Sequence, residues 1–392
     1  MFGFGLVTVC QGLVQSYSGL LTTRFFLGLT ETGMFPGAFY LIGMWYRRHE
    51  AQRRYSFFFS STTLAGAFGG LLASAIGKMD YMRGYRGWRW IFILEGVLTC
   101  VVAIAFFFLL PSFPEDAKWL SEEERAYVRA RLEADQGKSA LEKNITAKDV
   151  GNVFKDLKVI VGGFMYFGLI VPAYGYAYFS PGIIRSYGYS PIQTQLHSVP
   201  PWAAAFGFAM VVAYASDKIR HRFAFTIFTI FVCIAGFIIL LSVHDNRSVQ
   251  YGALFLVTSG AFSAMPIIVC WFNMSKQSQH FCQHSMYFVL LTHIDLGGHH
   301  RRSVGSAWQV AFGNIGGIIA TFAFLQKDAP KYVTGYSISL AFVCLSGISC
   351  VIYYLMCLMQ NRSRDKMPRD LSLTEHEKTE LGDLNPEYRY LL

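Results

Sequence analysis

Long apolar stretches alternate with short polar loops over most of the chain. Ten of these stretches approach or exceed the roughly 20 residues that a helix needs to cross the hydrocarbon core of a membrane. Backbone groups in lipid must pair within their own segment, so stretches of this kind predict transmembrane helices. The fold class that follows is an all-α, polytopic membrane protein. The ten predicted spans are 1–16, 20–45, 55–78, 88–110, 158–184, 196–216, 222–243, 249–273, 303–325 and 337–359.

One longer polar segment divides the spans into two groups, four before it and six after it. The segment 111–157 contains Ser121 followed three residues later by Glu124, a capping box that predicts the start of a soluble amphipathic helix. The predicted organisation is an N-terminal bundle of four spans in 1–110, a cytoplasmic linker in 111–157, a bundle of six spans in 158–359 and a cytoplasmic tail in 360–392.

The residues 275–297 interrupt this pattern. They show no clean periodicity, and their apolar centre, Met286–Leu291, is too short to span a membrane. Codons for the residues at both ends are compatible with splice-site sequences, so we expect an insertion from a translated intron. The alternative is a genuine cytoplasmic loop.

Composition supports a membrane protein. The chain is 53% hydrophobic and 15% charged, and soluble domains usually carry about a quarter charged residues. This composition argues against a soluble enzyme, a disordered protein and a disulfide scaffold. The net charge of +9 comes from Lys and Arg between the spans. It therefore indicates topology rather than nucleic-acid binding, and it places both termini in the cytoplasm.

The second span contains two ionisable residues, Arg24 and Glu31. They lie seven residues apart, close to two helical turns, and therefore share one face. Gly28 leaves room beside the helix between them, and Gly33, Pro36 and Gly37 predict that the following half of the span either bends or packs closely. One interpretation is an anion site with a protonatable neighbour, since arginine binds a carboxylate through a bidentate fork. The other is that Arg24 reaches the outer interface and Glu31 is its structural partner.

Further polar residues of the spans are weaker candidates. Glu95 is interpreted chiefly as a structural interface charge. Asp217 and Arg222 at the cytoplasmic side are either topology charges or a latch between helix ends. Gln309 and Asn314 line a water path or join helices, and Tyr174 is a candidate lining residue of a substrate pocket. All three are candidate substrate-binding residues.

The sequence shows no paired catalytic carboxylates, nucleophile elbow, P-loop or HExxH motif. Its eight Cys residues have no zinc-like spacing. We therefore expect no enzyme activity, no cofactor and no metal.

Four motifs occur in a fixed order along the chain. They are Arg24-x3-Gly28-x2-Glu31-x4-Pro36-Gly37, Gly87-Trp88-Arg89-Trp90-x4-Glu95-Gly96, Leu110-Pro111-x2-Pro114 and Ser216-Asp217-Lys218-Ile219-Arg220. In that order they resemble the fourth helix, the start of the sixth helix, the central linker and the second cytoplasmic-loop motif of the major facilitator superfamily. The resemblance is greatest to the anion:cation symporter family, which includes allantoate and nicotinate permeases.

The resemblance implies a fold of twelve helices in two bundles and secondary active, proton-coupled uptake of a small organic anion by alternating access. It assigns carboxylate binding to Arg24 and proton coupling to Glu31. The implied partners are the anion, a proton and the lipid bilayer of the plasma membrane. The family's first two helices have no counterpart, so we expect a truncated gene product. The alternatives are a nutrient-sensing homologue and an inactive fragment.

Overall fold

Every regular element in the described part of the chain is helical. The computed structural model describes residues 1–46, 48–110, 114, 117, 119–136, 151, 154, 156–219, 221–274, 298–325, 328–329 and 331–366. The all-α fold predicted from the apolar stretches is therefore confirmed. The helices are α1 (Phe2–Leu13), α2 (Tyr17–Glu31), α3 (Met34–Trp45), α4 (Arg48–Gly77), α5 (Gly87–Leu109), α6 (Glu122–Gln136), α7 (Leu157–Ser186), α8 (Pro191–Ile219), α9 (Arg222–Ser242), α10 (Arg247–Met274), α11 (Gly298–Ala323) and α12 (Val333–Asp365).

Seven helical segments in the described part of the chain are long and apolar enough to cross a membrane. Two more apolar helices, Phe2–Leu13 and Ala307–Ala323, are shorter. Each predicted span coincides with one helix, except 20–45, which is divided between α2 and α3. The seven segments are Phe57–Gly77, Gly87–Leu109, Leu157–Ser186, Gln193–Ser216, Arg222–Ser242, Arg247–Phe272 and Val333–Ser363.

The break between α2 and α3 falls at Thr32 and Gly33. The Thr32 N–H still donates to the Gly28 carbonyl (3.2 Å), and the new helix begins with the Gly37 N–H donating to Gly33 (3.0 Å). Pro36 is the third residue of α3. Proline has no backbone N–H, and the N–H groups of a helix's first turn have no acceptor within the helix. Pro36 therefore costs α3 no hydrogen bond. Glu31 is the last residue of α2 and stands directly before the break.

The chain divides into two compact units. The first unit holds Met1–Tyr46 and Ala65–Leu132, and the second holds Arg47–Leu64 and Glu133–Leu392. Helix α4 contributes residues to both. The domain boundaries predicted from the spans stay predictions.

Glycines set the packing of the first unit. A Cβ added to Gly5 would lie 3.2 Å from the Gly96 carbonyl oxygen, and one added to Gly12 would lie 2.9 Å from the Arg89 carbonyl oxygen. Helices α1 and α5 are therefore in backbone contact, which only residues without a Cβ permit. This close packing fixes the register of α1 and with it the direction of Gln11, the neighbour of Gly12.

Helix α7 lies at the centre of the second unit. A Cβ at Gly168 would overlap the Phe342 carbonyl oxygen of α12. The Ser346 hydroxyl of the same helix donates to the Met165 carbonyl (2.6 Å) and is buried. Most of α7 is buried, although Pro172 and Pro181 lie inside it.

The predicted capping box is confirmed at α6. The Glu124 N–H donates to Ser121 Oγ (3.2 Å), and the Ser121 N–H donates to Glu124 Oε2 (3.0 Å). The capping box satisfies two N–H groups that the helix start would otherwise leave without partners. The predicted insertion 275–297 and the tail beyond residue 366 lie outside the described residues.

Candidate functional site

Arg24 is held by a buried amide from the neighbouring helix. Gln11 Oε1 accepts from Arg24 Nε at 2.7 Å and from Arg24 Nη2 at 3.0 Å. Hydrogen-bond chemistry fixes this orientation of the amide, because only its oxygen can accept from a guanidinium. The Gln11 side chain is 0% exposed. The guanidinium carbon lies 5.4 Å from the ring centroid of Phe92 on α5, within cation–π range.

The helix that carries Arg24 is exposed. Both Arg24 and Glu31 are exposed, and α2 has no buried residue. A Cβ added to Gly28, between them, would meet no atom within 4 Å. The structure thus provides the room that the sequence predicted beside Gly28.

Arg24 and Glu31 form no ion pair with each other. Among the described residues, the polar partner of the Arg24 side chain is Gln11, and the Glu31 carboxylate has no hydrogen-bond or ion-pair partner. A purely structural Arg24–Glu31 pair is therefore absent from this part of the molecule. One cation and one carboxylate instead stand separately on an exposed helix.

Sequence reasoning missed Gln11. The available signal was that Gln11 is the single amide in the otherwise apolar α1, FGFGLVTVCQGL. A buried amide in a membrane helix needs a partner. The identity of that partner depends on the register between helices, which sequence alone does not give.

Tyr174 and Asn314 meet in the second unit. The Tyr174 hydroxyl donates to Asn314 Oδ1 at 3.4 Å, and its ring stacks on Tyr178 with centroids 5.4 Å apart. Gly317 lies under the Tyr174 ring, where an added Cβ would come within 3.0 Å of it. Asn314 is exposed and Tyr174 is half-buried. The structure therefore brings together two predicted substrate contacts from α7 and α11.

Gln309 has a different environment. It is 0% exposed, and its Nε2 donates to the Gly162 carbonyl of α7 at 2.9 Å. This geometry joins α11 to α7, which is one of the two roles considered for it. A substrate contact at Gln309 stays a prediction.

The remaining candidates lie apart from Arg24 and Glu31. Glu95 is half-buried on α5, and its backbone carbonyl accepts from the Thr99 hydroxyl (2.8 Å). Asp217 lies in the last turns of α8, and nothing is described of its side chain. Arg222 is the first residue of α9 and is buried. A latch between Asp217 and Arg222 stays a prediction.

Local hydrogen bonds hold the charged loop between α4 and α5 and the start of α5. Arg89 Nη2 donates to the Val14 carbonyl, just beyond α1, at 2.7 Å. Asp80 Oδ1 accepts from the Gly87 N–H at the start of α5, at 2.6 Å. Both side chains bond to backbone groups that helix ends leave without partners. Arg89 and Asp80 are therefore structural.

Comparison with known proteins gives consistent results. The family model described as Major Facilitator Superfamily matches residues 1–321. The chain is 31% identical to "MFS transporter prlL" of Fungal sp. (strain NRRL 50135) over 92% of this chain and 70% of that protein. It is 28% identical to "MFS-type transporter cnsO" of Penicillium expansum over 99% of this chain and 74% of that protein.

A solved structure shares the fold. The proton:xylose symporter XylE bound to 6-bromo-6-deoxy-D-glucose superposes with a TM-score of 0.61 at 13% identity. The superposition covers 90% of this chain and 77% of XylE. At this identity the likeness supports the fold and says nothing of the substrate.

Proposed function

Because the chain belongs to the Major Facilitator Superfamily, we propose that it is a secondary active transporter that takes up a small organic anion together with protons. The family and the apolar helices make it a multi-pass membrane protein and a transporter rather than an enzyme. The anion, the coupling to protons, the alternating-access cycle and the plasma-membrane location are the parts that we propose.

The observation that carries the proposal is an exposed guanidinium without an acidic partner among the described residues. Arg24 pairs with a neutral amide and therefore keeps its full positive charge. An unpaired positive charge within a membrane helix is energetically costly unless it meets water or an anion. A carboxylate suits it best, because a guanidinium offers two parallel N–H donors to two oxygens.

Glu31 is the proposed proton carrier. It ends α2 directly before the helix break and has no ion-pair partner among the described residues. Proton binding there would remove a charge that has no counter-ion. We propose that protonation of Glu31 and binding of the anion at Arg24 together favour closure of the transporter around the anion. Loss of the proton then favours release of the anion inside the cell.

Tyr174 and Asn314 are proposed as additional substrate contacts. Their hydroxyl and amide provide donors and an acceptor next to the stacked Tyr178 ring, which is 57% exposed. This combination suits a planar polar group such as a heteroaromatic ring or a ureide. Tyr174→Phe, which removes the hydroxyl, tests this contact separately from Arg24.

Uptake into proteoliposomes tests the proposal. The full chain is reconstituted and supplied with radiolabelled nicotinate or allantoate, with and without an inward proton gradient. We expect the gradient to accelerate uptake, Glu31→Gln to remove this acceleration, and Arg24→Ala to abolish uptake. Arg24→Lys keeps the charge but loses the fork, so it should weaken uptake without abolishing it. Uptake that ignores all three substitutions would refute the proposal.

A further inference from the structure

We infer that Gln11 is a positioning residue, which holds Arg24 through the Nε and Nη2 side of its guanidinium and leaves the outer edge free to bind a carboxylate end-on. This inference rests on the proposed role of Arg24 as the anion site. It adds a residue of α1 to that site and specifies how the anion approaches.

The hydrogen bonds divide the guanidinium into a used and an unused edge. A guanidinium carries five N–H donors around a planar fork. Gln11 Oε1 takes the side edge formed by Nε and Nη2, at 2.7 and 3.0 Å. The outer edge, formed by Nη1 and the second N–H of Nη2, has no partner among the described residues. That outer edge can form the two parallel hydrogen bonds of an end-on carboxylate complex.

Because Gln11 is a neutral amide, it holds Arg24 without offsetting the positive charge of the guanidinium. The charged side chains on the three helices that meet here are Arg24 and Glu31 on α2 and Arg89 and Glu95 on α5, while α1 carries none. Gln11 fixes Arg24 without contributing a negative charge. A glutamate at position 11 would hold the guanidinium equally well but would neutralise the charge that attracts the anion.

The position of Gln11 makes it a rigid support. Its side chain is fully buried, and its neighbour Gly12 packs against the backbone of α5. Phe92 covers the guanidinium at 5.4 Å. Arg24 is thereby oriented before the anion arrives, so less side-chain entropy is lost on binding.

The test compares two substitutions that a structural role and a positioning role rank differently. Gln11→Met keeps the length and removes the acceptor. Gln11→Glu keeps an acceptor for Arg24 and adds a charge. If Gln11 positions Arg24, the KM for nicotinate or allantoate should rise roughly ten-fold in Gln11→Met with kcat little changed. It should rise on the order of 100-fold in Gln11→Glu, although that variant keeps its link to Arg24.

If Gln11 only connects α1 to α2, the order is reversed, and Gln11→Glu transports better than Gln11→Met. Gln15→Glu is the matched control, because the same change falls four residues further on, at an exposed residue beyond the end of α1. It should leave KM within about two-fold of wild type. Thermal stability in detergent verifies that each variant is folded.

A double-mutant cycle with Arg24→Lys covers the case in which Gln11→Glu does not fold. A lysine cannot use the two-pronged contact, so Gln11→Met should have less effect on KM in that background than in wild type. Additive effects, or wild-type KM values in the folded Gln11 variants, would overturn the inference. If Arg24→Ala is inactive while the Gln11 variants behave as wild type, only this inference fails. If Arg24→Ala transports normally, the proposed function itself fails.

Discussion

Helices α2 and α7 differ in how much of each helix is buried. Helix α2 has no buried residue in its fifteen positions, whereas most of α7 is buried against its neighbours. Glycines emphasise the contrast. Gly28 of α2 borders open space, whereas Gly168 of α7 lies where a Cβ would overlap the backbone of α12.

This difference in burial separates residues that can bind a substrate from residues that stabilise the fold. A helix with few packing contacts can carry an arginine and a glutamate, since their charges face open space rather than a dry core. Around the buried helix α7, polar side chains of neighbouring helices bond within the protein: Gln309 Nε2 and the Ser346 hydroxyl both donate to carbonyls of α7. Substitutions in α2 should therefore change transport, and substitutions around α7 should change stability.

The largest expected effect is on transport. Arg24→Ala should lower the rate of anion uptake on the order of 100-fold, because it removes the cation that pairs with the carboxylate. Its melting temperature should fall only moderately, because α2 buries little and the main loss is the hydrogen-bond partner of the buried Gln11 amide. Initial uptake rates and thermal unfolding of the same purified samples provide the two readouts. A folded Arg24→Ala protein with normal uptake would contradict the assignment.

The next largest effect is on stability, and it compares the same glycine-to-alanine substitution at two positions. Gly168→Ala should destabilise the protein by about 1–3 kcal/mol through overpacking against the Phe342 carbonyl. Gly28→Ala should change stability by less than about 1 kcal/mol, in the stabilising direction, because alanine favours a helix. Thermal unfolding of both variants gives the comparison. Equal destabilisation would show that α2 is packed as tightly as α7.

A smaller difference in stability and KM is expected between substitutions of two amide residues of α11. Gln309→Leu removes the hydrogen bond to the Gly162 carbonyl and should lower stability by about 1 kcal/mol without changing KM. Asn314→Leu, at an exposed residue, should leave stability unchanged and raise KM. The reverse pattern would move the substrate contact from Asn314 to Gln309.

The smallest effect concerns the linker. Ser121→Ala removes the capping side chain of α6 and should reduce stability by about 1 kcal/mol. Uptake of the folded protein should not change, because the cap lies outside the transport helices. A variant that is stable but inactive would give the linker a part in transport.

Much of the fold follows from local signals. Apolar length located seven segments long enough to cross a membrane, whereas the predicted span 20–45 is divided between α2 and α3, neither of which is among the seven. The Ser121 and Glu124 pair located the start of α6, and Gly33 and Pro36 lie at the break between α2 and α3. Each of these depends on residues close together in sequence. The boundaries of the two units depend on distant contacts, and the predicted division at 110 stays a prediction.

The site was only partly predictable. The spacing of Arg24 and Glu31 placed both on α2, but nothing local indicated that Arg24 bonds to Gln11 rather than to Glu31. That choice is made by the register of α1, which the glycine contacts with α5 fix. For the same reason, the sequence could not decide whether Gln309 joins helices or faces a substrate.

Cysteine labelling at position 28 tests the central claim most directly. Gly28→Cys keeps Arg24 and Glu31 and is made in a chain whose eight native cysteines are replaced by serine. In proteoliposomes, the account predicts that a charged, water-soluble thiol reagent labels Cys at this position and that saturating transported anion slows the labelling. Labelling by lipid-soluble reagents alone, or a rate that the anion does not change, would contradict an aqueous anion route beside α2.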